Sequence, residues 1–242
     1  MNFTERLLER TKELSRQVDD LTFTFDGYIY NPLDYAWEPH AMYLERYVKE
    51  GAKAFFLGMN PGPFGMMQTG VPFGEIGFVK GWMGIEAHVD KPKREHPGRP
   101  VLGFESKRSE VSGRRLWGLF SKEGTAQEFF NDNSVFNYCP LGFLEEGRTA
   151  KNFTPDKLRK DERAALEAVC DSYLKDVIAM IGPSVLIGVG KYAQAKLNAV
   201  NDDPSRNVIS IIHPSPGNPQ ANDNWEGKTI ETLSNAGVWQ CR

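Results

Sequence analysis

The chain has 242 residues, of which 40% are hydrophobic, and a formal net charge of −3. This is enough for one α/β domain with a real core, while the charge supplies no global positive field to steer the chain to nucleic acid, so any such contact rests on a local patch. Cys139, Cys170 and Cys241 are too few and too scattered for a metal cluster or a disulfide framework, the N-terminal segment lacks the apolar core of a signal peptide, and no run is long enough to span a membrane.

Residues 3 to 21 read as an amphipathic packing helix, with Phe3, Leu7, Leu14, Val18 and Leu21 on one face and Asn2 and Glu5 as a capping pair. The stretch from Tyr28 to Trp37 is dense in aromatics and turns at Asn31-Pro32. A lid over the following loop and plain core packing are both open for it. A second helix over residues 39 to 49 feeds a buried strand, Ala54 to Leu57.

The segment that follows, Gly58 to Gly74, holds five glycines and three prolines in seventeen residues. Glycine allows close approach of other groups to the backbone, and proline stiffens it, so this loop suits a rigid, preformed pocket wall. Phe78 to Met83 forms a short helix. Residues 84 to 110 show no period, and a long irregular stretch inside a compact domain is commonly functional. Eight basic residues fall between Lys91 and Arg115. A solvated face and a nucleic-acid patch are both compatible with them. A helix from Ser112 to Lys122 follows, and the Ser112-Gly113 backbone N–H groups at its start are a natural phosphate site.

Ser134 to Leu141 reads as a strand ending near Asn137 and Pro140. Thr154-Pro155 opens the longest helix, which Gly182-Pro183 stops. Ser184 to Gly190 is a strand apolar on both faces, as parallel sheets require. A helix over Lys191 to Ala199 leads to a strand over Asn207 to Ile212 and then to the loop His213-Pro214-Ser215-Pro216-Gly217-Asn218-Pro219. Residues 223 to 236 form the last helix. Alternation of strands and helices predicts a parallel sheet covered on both faces, within a single domain over residues 1 to 242.

Ligands of such sheets bind beyond the carboxyl ends of the strands. Asn60, Asn137 and His213 fall at three of those ends. Two asparagines and a histidine offer directional hydrogen bonds suited to a planar, amide-like ligand. A flat base read by Asn137, stacked on Phe73 and approached by a water held on Asn60 is a coherent arrangement, with His213 placed to stabilise charge on a departing base. His40, His88, His96 and His213 have no ligand spacing with cysteines or carboxylates, so no metal and no cofactor is expected.

Gly58-Met59-Asn60-Pro61-Gly62-Pro63-Phe64-Gly65 through Phe73-Gly74-Glu75, together with His213-Pro214-Ser215-Pro216 and Asn218-Pro219-Gln220-Ala221-Asn222, closely resembles the single-strand-selective monofunctional uracil-DNA glycosylases. Tyr30-Asn31-Pro32, Tyr35 to His40, Glu110 to Gly113 and Cys139-Pro140-Leu141 also look like that family. The resemblance implies a uracil-DNA glycosylase-like three-layer α/β/α fold with a central four-stranded parallel sheet. It implies hydrolysis of the N-glycosidic bond of uracil and 5-modified uracils in single- and double-stranded DNA after base flipping, without strand cleavage. The few scattered cysteines, with no signal or membrane segment, lead to the expectation of an intracellular protein, and nothing in the sequence demands an oligomer, so a monomer is expected. By that analogy Asn60 positions the water and His213 stabilises charge on uracil O2. Phe73 stacks on the base, Asn137 reads its edge, Met59 and Gly62 shape the pocket, and Gly62 leaves room near C5. Ser112, Gly113, Ser215, Pro216, Gly217 and Asn218 are the expected DNA contacts. Vertebrate members carry an arginine where this sequence has Gly217. Three alternatives stand beside this function: a same-fold glycosylase acting mainly on xanthine and hypoxanthine, a catalytically silent module that binds damaged DNA, and an α/β domain that binds a nucleotide-like metabolite and has no DNA affinity.

Overall fold

A computed structural model describes residues 1–239, so Cys241 lies outside the described part. The elements, in chain order, are α1 (Phe3–Asp19), β1 (Gly27–Tyr30), α2 (Pro32–Tyr35), α3 (Trp37–Tyr47), β2 (Ala54–Gly58), α4 (Met66–Thr69) and α5 (Ile76–Gly81). They continue with α6 (Val111–Phe120), α7 (Ala126–Asp132), β3 (Asn133–Asn137), β4 (Gly142–Glu145), β5 (Asn152–Phe153) and α8 (Lys160–Ile181). The chain closes with β6 (Val185–Val189), α9 (Lys191–Val200), β7 (Asn207–Ile211) and α10 (Trp225–Asn235).

The central sheet has four strands in the order β3-β2-β6-β7. Every pair in it is parallel. All residues of β2 and β6, the two inner strands, are buried, which is why those strands read as unbroken apolar runs rather than alternating ones. The edge strand β7 is more exposed, except at Ile211.

The α1 helix starts as expected. The Asn2 side chain accepts from the Glu5 N–H and the Glu5 carboxylate accepts from the Asn2 N–H, each at 2.9 Å. Its face buries Leu7, Leu14 and Val18, each worth roughly 1.5–3 kcal/mol when fully buried. Thr11 and Tyr173 join α1 to α8 through a buried hydroxyl contact of 2.8 Å.

Several elements escape the sequence, among them the short helices α2 and α4, which fall inside stretches read as turn and loop. A three-stranded antiparallel sheet, β1-β4-β5, lies apart from the parallel one, and α7 enters directly into β3 under a Thr125–Glu128 capping box. The longest helix also begins later than its Thr154-Pro155 signal: residues 155–157 form a 3-10 turn and α8 starts at Lys160. Thr154 and Pro155 do start a helical turn, but Leu158 returns to extended backbone and breaks it. The strand expected over 134 to 141 stops at Asn137.

The aromatic stretch is core rather than lid. Tyr30, Tyr35 and Ala36 are buried in a small second cluster with Met67, Val101, Leu144 and Ala150, and the Tyr35 hydroxyl donates to the Met67 carbonyl at 2.7 Å. The irregular segment wraps over that cluster. Tyr30 Oη donates to the Arg99 carbonyl and accepts from the His96 N–H, while Gln68 Nε2 donates to the Pro63 and Pro100 carbonyls, and Gln68 Oε1 accepts from the Leu102 N–H. Gln68 thereby stitches the glycine-rich loop to the wrapping segment.

Candidate active site

Strand register brings the expected residues together. Gly58 and Asn137 are directly paired at the ends of β2 and β3, and the pairing runs on: the Tyr138 N–H donates to the Gly58 carbonyl and the Cys139 N–H to the Met59 carbonyl, both at 2.9 Å. His213 follows β7 on the far side of β6. The turn after β6 clears its path, since a Cβ on Gly190 (φ +96) would sit 3.1 Å from His213 Cβ. A cavity of about 860 Å³ opens at this edge, and Met59, Asn60, Gly62, Phe73, Asn137 and His213 all line it. Ser112, Ser215 and Pro216 line it too, whereas Gly113, Gly217 and Asn218 do not.

Phe73 is held in an unusual backbone conformation, φ 51, a left-handed value rare for a residue with a side chain. Its carbonyl pins it there, accepting from the buried Trp117 Nε1–H at 2.8 Å and from the Glu75 N–H at 2.7 Å. Non-glycine residues keep such conformations where their surroundings fix them, and they cluster at ligand sites. The result lays the ring over the end of β2: a Cβ on Gly58 would lie 2.7 Å from Phe73 Cζ and 2.3 Å from Asn137 Oδ1. Gly58 therefore has to be glycine for both side chains to stand where they do.

The asparagines keep their polar atoms available. Asn60 Nδ2 makes a long contact, 3.4 Å, to the Leu141 carbonyl, and its Oδ1 has no protein donor among the described residues. Asn137 Nδ2 rests 3.2 Å from Met66 Sδ, a weak acceptor that yields readily to a ligand oxygen.

His213 Nδ1 accepts from the Ser215 N–H at 3.1 Å. That bond fixes the neutral tautomer, leaving Nε2 as the N–H donor. Burial lowers the His213 pKa to about 4, so the ring is neutral at pH 7. His40 behaves likewise: burial takes it to about 4, against a partly opposing bond to the Gly70 carbonyl. Both pKa values lie below the unfolded value near 6.5, so the stability that the two neutral rings protect is whole above that pH and declines as pH falls toward 4.

The His213 loop is braced from within and from α6. Asn218 Nδ2 donates to the His213 carbonyl at 3.2 Å, and Ser215 Oγ accepts from the Gly217 N–H at 3.2 Å. Arg115 reaches across from α6 to the Pro214 carbonyl (3.0 Å) and Asn222 Oδ1 (3.1 Å). Asn218 thus spends its side chain inside the loop, and the exposed apex, Pro216-Gly217, carries no long side chain.

The expected phosphate site at Ser112-Gly113 is corrected by the structure. Glu110 caps α6, and its carboxylate accepts from both of those N–H groups, so neither is free for an anion. Gly113 instead makes room for the Phe73 backbone, since a Cβ there would fall 2.0 Å from the Phe73 carbonyl oxygen. Burial pushes the Glu110 carboxyl up, and the Gly113 and Ser112 hydrogen bonds partly offset this. Glu110, Trp117, Gly58 and Arg115 are the supporting residues that sequence reasoning missed. Glutamate is not a favoured cap, and nothing in the spacing of the other three marks their partners.

The basic segment divides. Lys91 pairs with Glu95 at 3.4 Å and Lys93 with Asp19 at 3.3 Å. Arg94 lies 4.3 Å from the Tyr28 ring centroid, and only Lys107 and Arg108 reach the cavity. Among the described residues no group of three His, Cys, Asp or Glu is disposed to hold a metal, and no helix is long and apolar enough to cross a membrane.

Comparison with known proteins gives the family. The family model of the uracil DNA glycosylase superfamily matches residues 45–234. The single-strand selective monofunctional uracil-DNA glycosylase of Rattus norvegicus is 44% identical over 241 residues, covering 98% of this chain and 86% of the rat protein. The Mus musculus protein of the same name is 43% identical with the same coverage. A crystal structure of SMUG2 from Pedobacter heparinus superposes with a TM-score of 0.69 over 98% of both chains, at 18% identity, and so speaks for the fold alone. The chain belongs to the uracil-DNA glycosylase superfamily, and within it to the single-strand-selective monofunctional uracil-DNA glycosylases.

Proposed function

We propose that this protein is a monofunctional uracil-DNA glycosylase, a hydrolase that removes uracil from DNA, with the strand-end cavity as its active site. The observation that carries the residue roles is the convergence of Asn60, Phe73, Asn137 and His213 on one cavity. The target nucleotide leaves the base stack and its base enters over Phe73. Asn137 hydrogen-bonds the amide edge of the base. The C1′–N1 bond breaks with its electron pair passing to the base, and positive charge builds on the sugar as in other glycoside hydrolyses. The neutral His213 donates its Nε2–H to the O2 atom, where the negative charge gathers. Asn60 holds the water whose oxygen bonds to C1′, and the water's proton ends on the released uracil. The protein acts as a monomer.

An enzyme that relies on a desolvated neutral donor places that donor where each hydrogen bond counts for more than in water. His213→Leu is expected to slow uracil release by about 10²–10³-fold, the usual loss for one charge-stabilising donor. The wild-type rate is expected to show no His213 inflection near pH 6.5, because the ring titrates only near 4. Uracil release from single-stranded oligonucleotides, followed from pH 4 to 8 for both proteins, checks this. An unchanged rate in the variant removes His213 from the mechanism, and a wild-type limb near 6.5 that disappears in the variant contradicts the neutral donor.

Gly62 sets tolerance at C5. A Cβ there meets nothing nearer than Glu110 Cγ at 3.8 Å, so a larger residue can enter the cavity without breaking the fold. Gly62→Tyr is expected to cut excision of 5-hydroxymethyluracil at least tenfold more than excision of uracil. Competition assays on matched oligonucleotides read that ratio, and equal losses for the two bases would refute the role.

Gly217 bears on strand preference. Its Cβ position has only Ser215 Oγ at 3.6 Å, so a side chain is accommodated, yet the native loop apex offers nothing long enough to fill the gap that a flipped nucleotide leaves. Gly217→Arg is expected to raise the duplex-to-single-strand rate ratio several-fold. A ratio that does not move would show that the apex is not the wedge.

A further inference from the structure

The cavity wall carries a charge that the catalytic account leaves unused. Lys107 and Arg108 line it from the segment before α6, and Lys191, the first residue of α9, lines it beside Gly190. All three are exposed. Arg108 is steadied rather than neutralised: its guanidinium lies 4.5 Å from the centroid of the Phe64 ring, an aromatic of the same wall. The Arg99 guanidinium stands 5.0 Å from that ring and is itself tied to the Gly98 and Thr149 carbonyls.

Among the described residues no carboxylate pairs with Lys107, Arg108 or Lys191, whereas Lys91 and Lys93 of the same basic segment are paired. Glu110 is the only carboxylate lining the cavity among the described residues, and its oxygens are turned onto the Ser112 and Gly113 N–H groups. On a chain whose net charge is −3, the cavity wall is a local excess of unpaired cations. Such an arrangement suits a polyanion that crosses the mouth, since each phosphate contact releases a counterion.

We propose that Lys107, Arg108 and Lys191 form a phosphate clamp that holds the DNA strand across the cavity mouth by the phosphodiesters flanking the nucleotide whose base enters. This rests on the DNA-glycosylase reading above. The clamp replaces the Ser112-Gly113 site that Glu110 closes, and it fits a single strand because it asks only for backbone charge.

The test is fluorescence anisotropy with a single-stranded oligonucleotide carrying 2′-fluoro-2′-deoxyuridine, whose glycosidic bond resists cleavage, between 50 and 200 mM salt, conditions that span the range over which such contacts are lost. Lys107→Gln, Arg108→Gln and Lys191→Gln are each expected to lower the slope of log K against log salt by about 0.7, and the triple variant by about 2. Lys93→Gln, paired with Asp19 away from the cavity, is expected to keep the wild-type slope, and equal thermal midpoints certify folding. A triple variant with the wild-type slope, or a Lys93→Gln slope that drops as far, overturns the clamp. Uracil release by the wild type from a matched single-stranded oligonucleotide carrying ordinary deoxyuridine is read in parallel. No release overturns the glycosylase reading, whereas release with an unchanged triple-variant slope overturns the clamp alone.

Discussion

A Cβ on Gly58 would lie 2.3 Å from Asn137 Oδ1 and 2.7 Å from Phe73 Cζ, distances that no real Cβ tolerates, so the last residue of β2 gives up its side chain to let two others meet above it. One of these comes from the paired strand end and the other from a loop fifteen residues on. The loop in turn needs Phe73 at φ 51, which needs the Trp117 N–H on its carbonyl. Trp117 is fully buried and packs against Phe120, Phe129, Phe130 and Trp82. The aromatic core therefore positions the base-stacking ring. A site built this way is preorganised, which is where charge-stabilising catalysis draws its advantage.

The opposite wall follows a second rule, that burial decides protonation. His213 is desolvated until it titrates near 4, and the Ser215 N–H selects its tautomer. A neutral donor results, with no neighbouring carboxylate needed to set it. The same burial makes the fold acid-sensitive, because His213 and His40 resist protonation in the native state but not in the unfolded chain. Glu110 shows the complementary case. Its carboxylate is drawn into the wall by two backbone donors, which caps α6 and at the same time leaves the cavity lined by unpaired cations.

The sequence made the parallel sheet and the residues at its strand ends legible because both rest on patterns the chain states locally: apolar runs, glycine-proline punctuation, and polar residues just past them. Asn60, Phe73, Asn137 and His213 were visible for that reason. What stayed hidden depends on contacts between distant segments. The β1-β4-β5 sheet comes from short strands 112 and more residues apart in its first pairing, Tyr30 with Gly142, with no length to show a period. Gly113 reads as a free phosphate donor until Glu110 is placed on its N–H. Gly58 reads as one glycine among five, and only the partners packed over it distinguish it from Gly62, where an added Cβ would make no contact closer than 3.8 Å, to Glu110 Cγ.

The close approach at Gly58 sets the positions of the two groups that hold the base, and the rest of the site depends on it. The atoms an added methyl would meet are the ends of the Asn137 and Phe73 side chains, so Gly58→Ala can be absorbed by moving them while the fold survives. Steady-state uracil release by Gly58→Ala, with its thermal midpoint measured alongside, tests this most directly. The expected result is a fall in kcat/KM of at least tenfold, equivalent to about 1.4 kcal/mol of transition-state stabilisation, in a protein that still unfolds cooperatively. A variant that keeps the wild-type kcat/KM would contradict it.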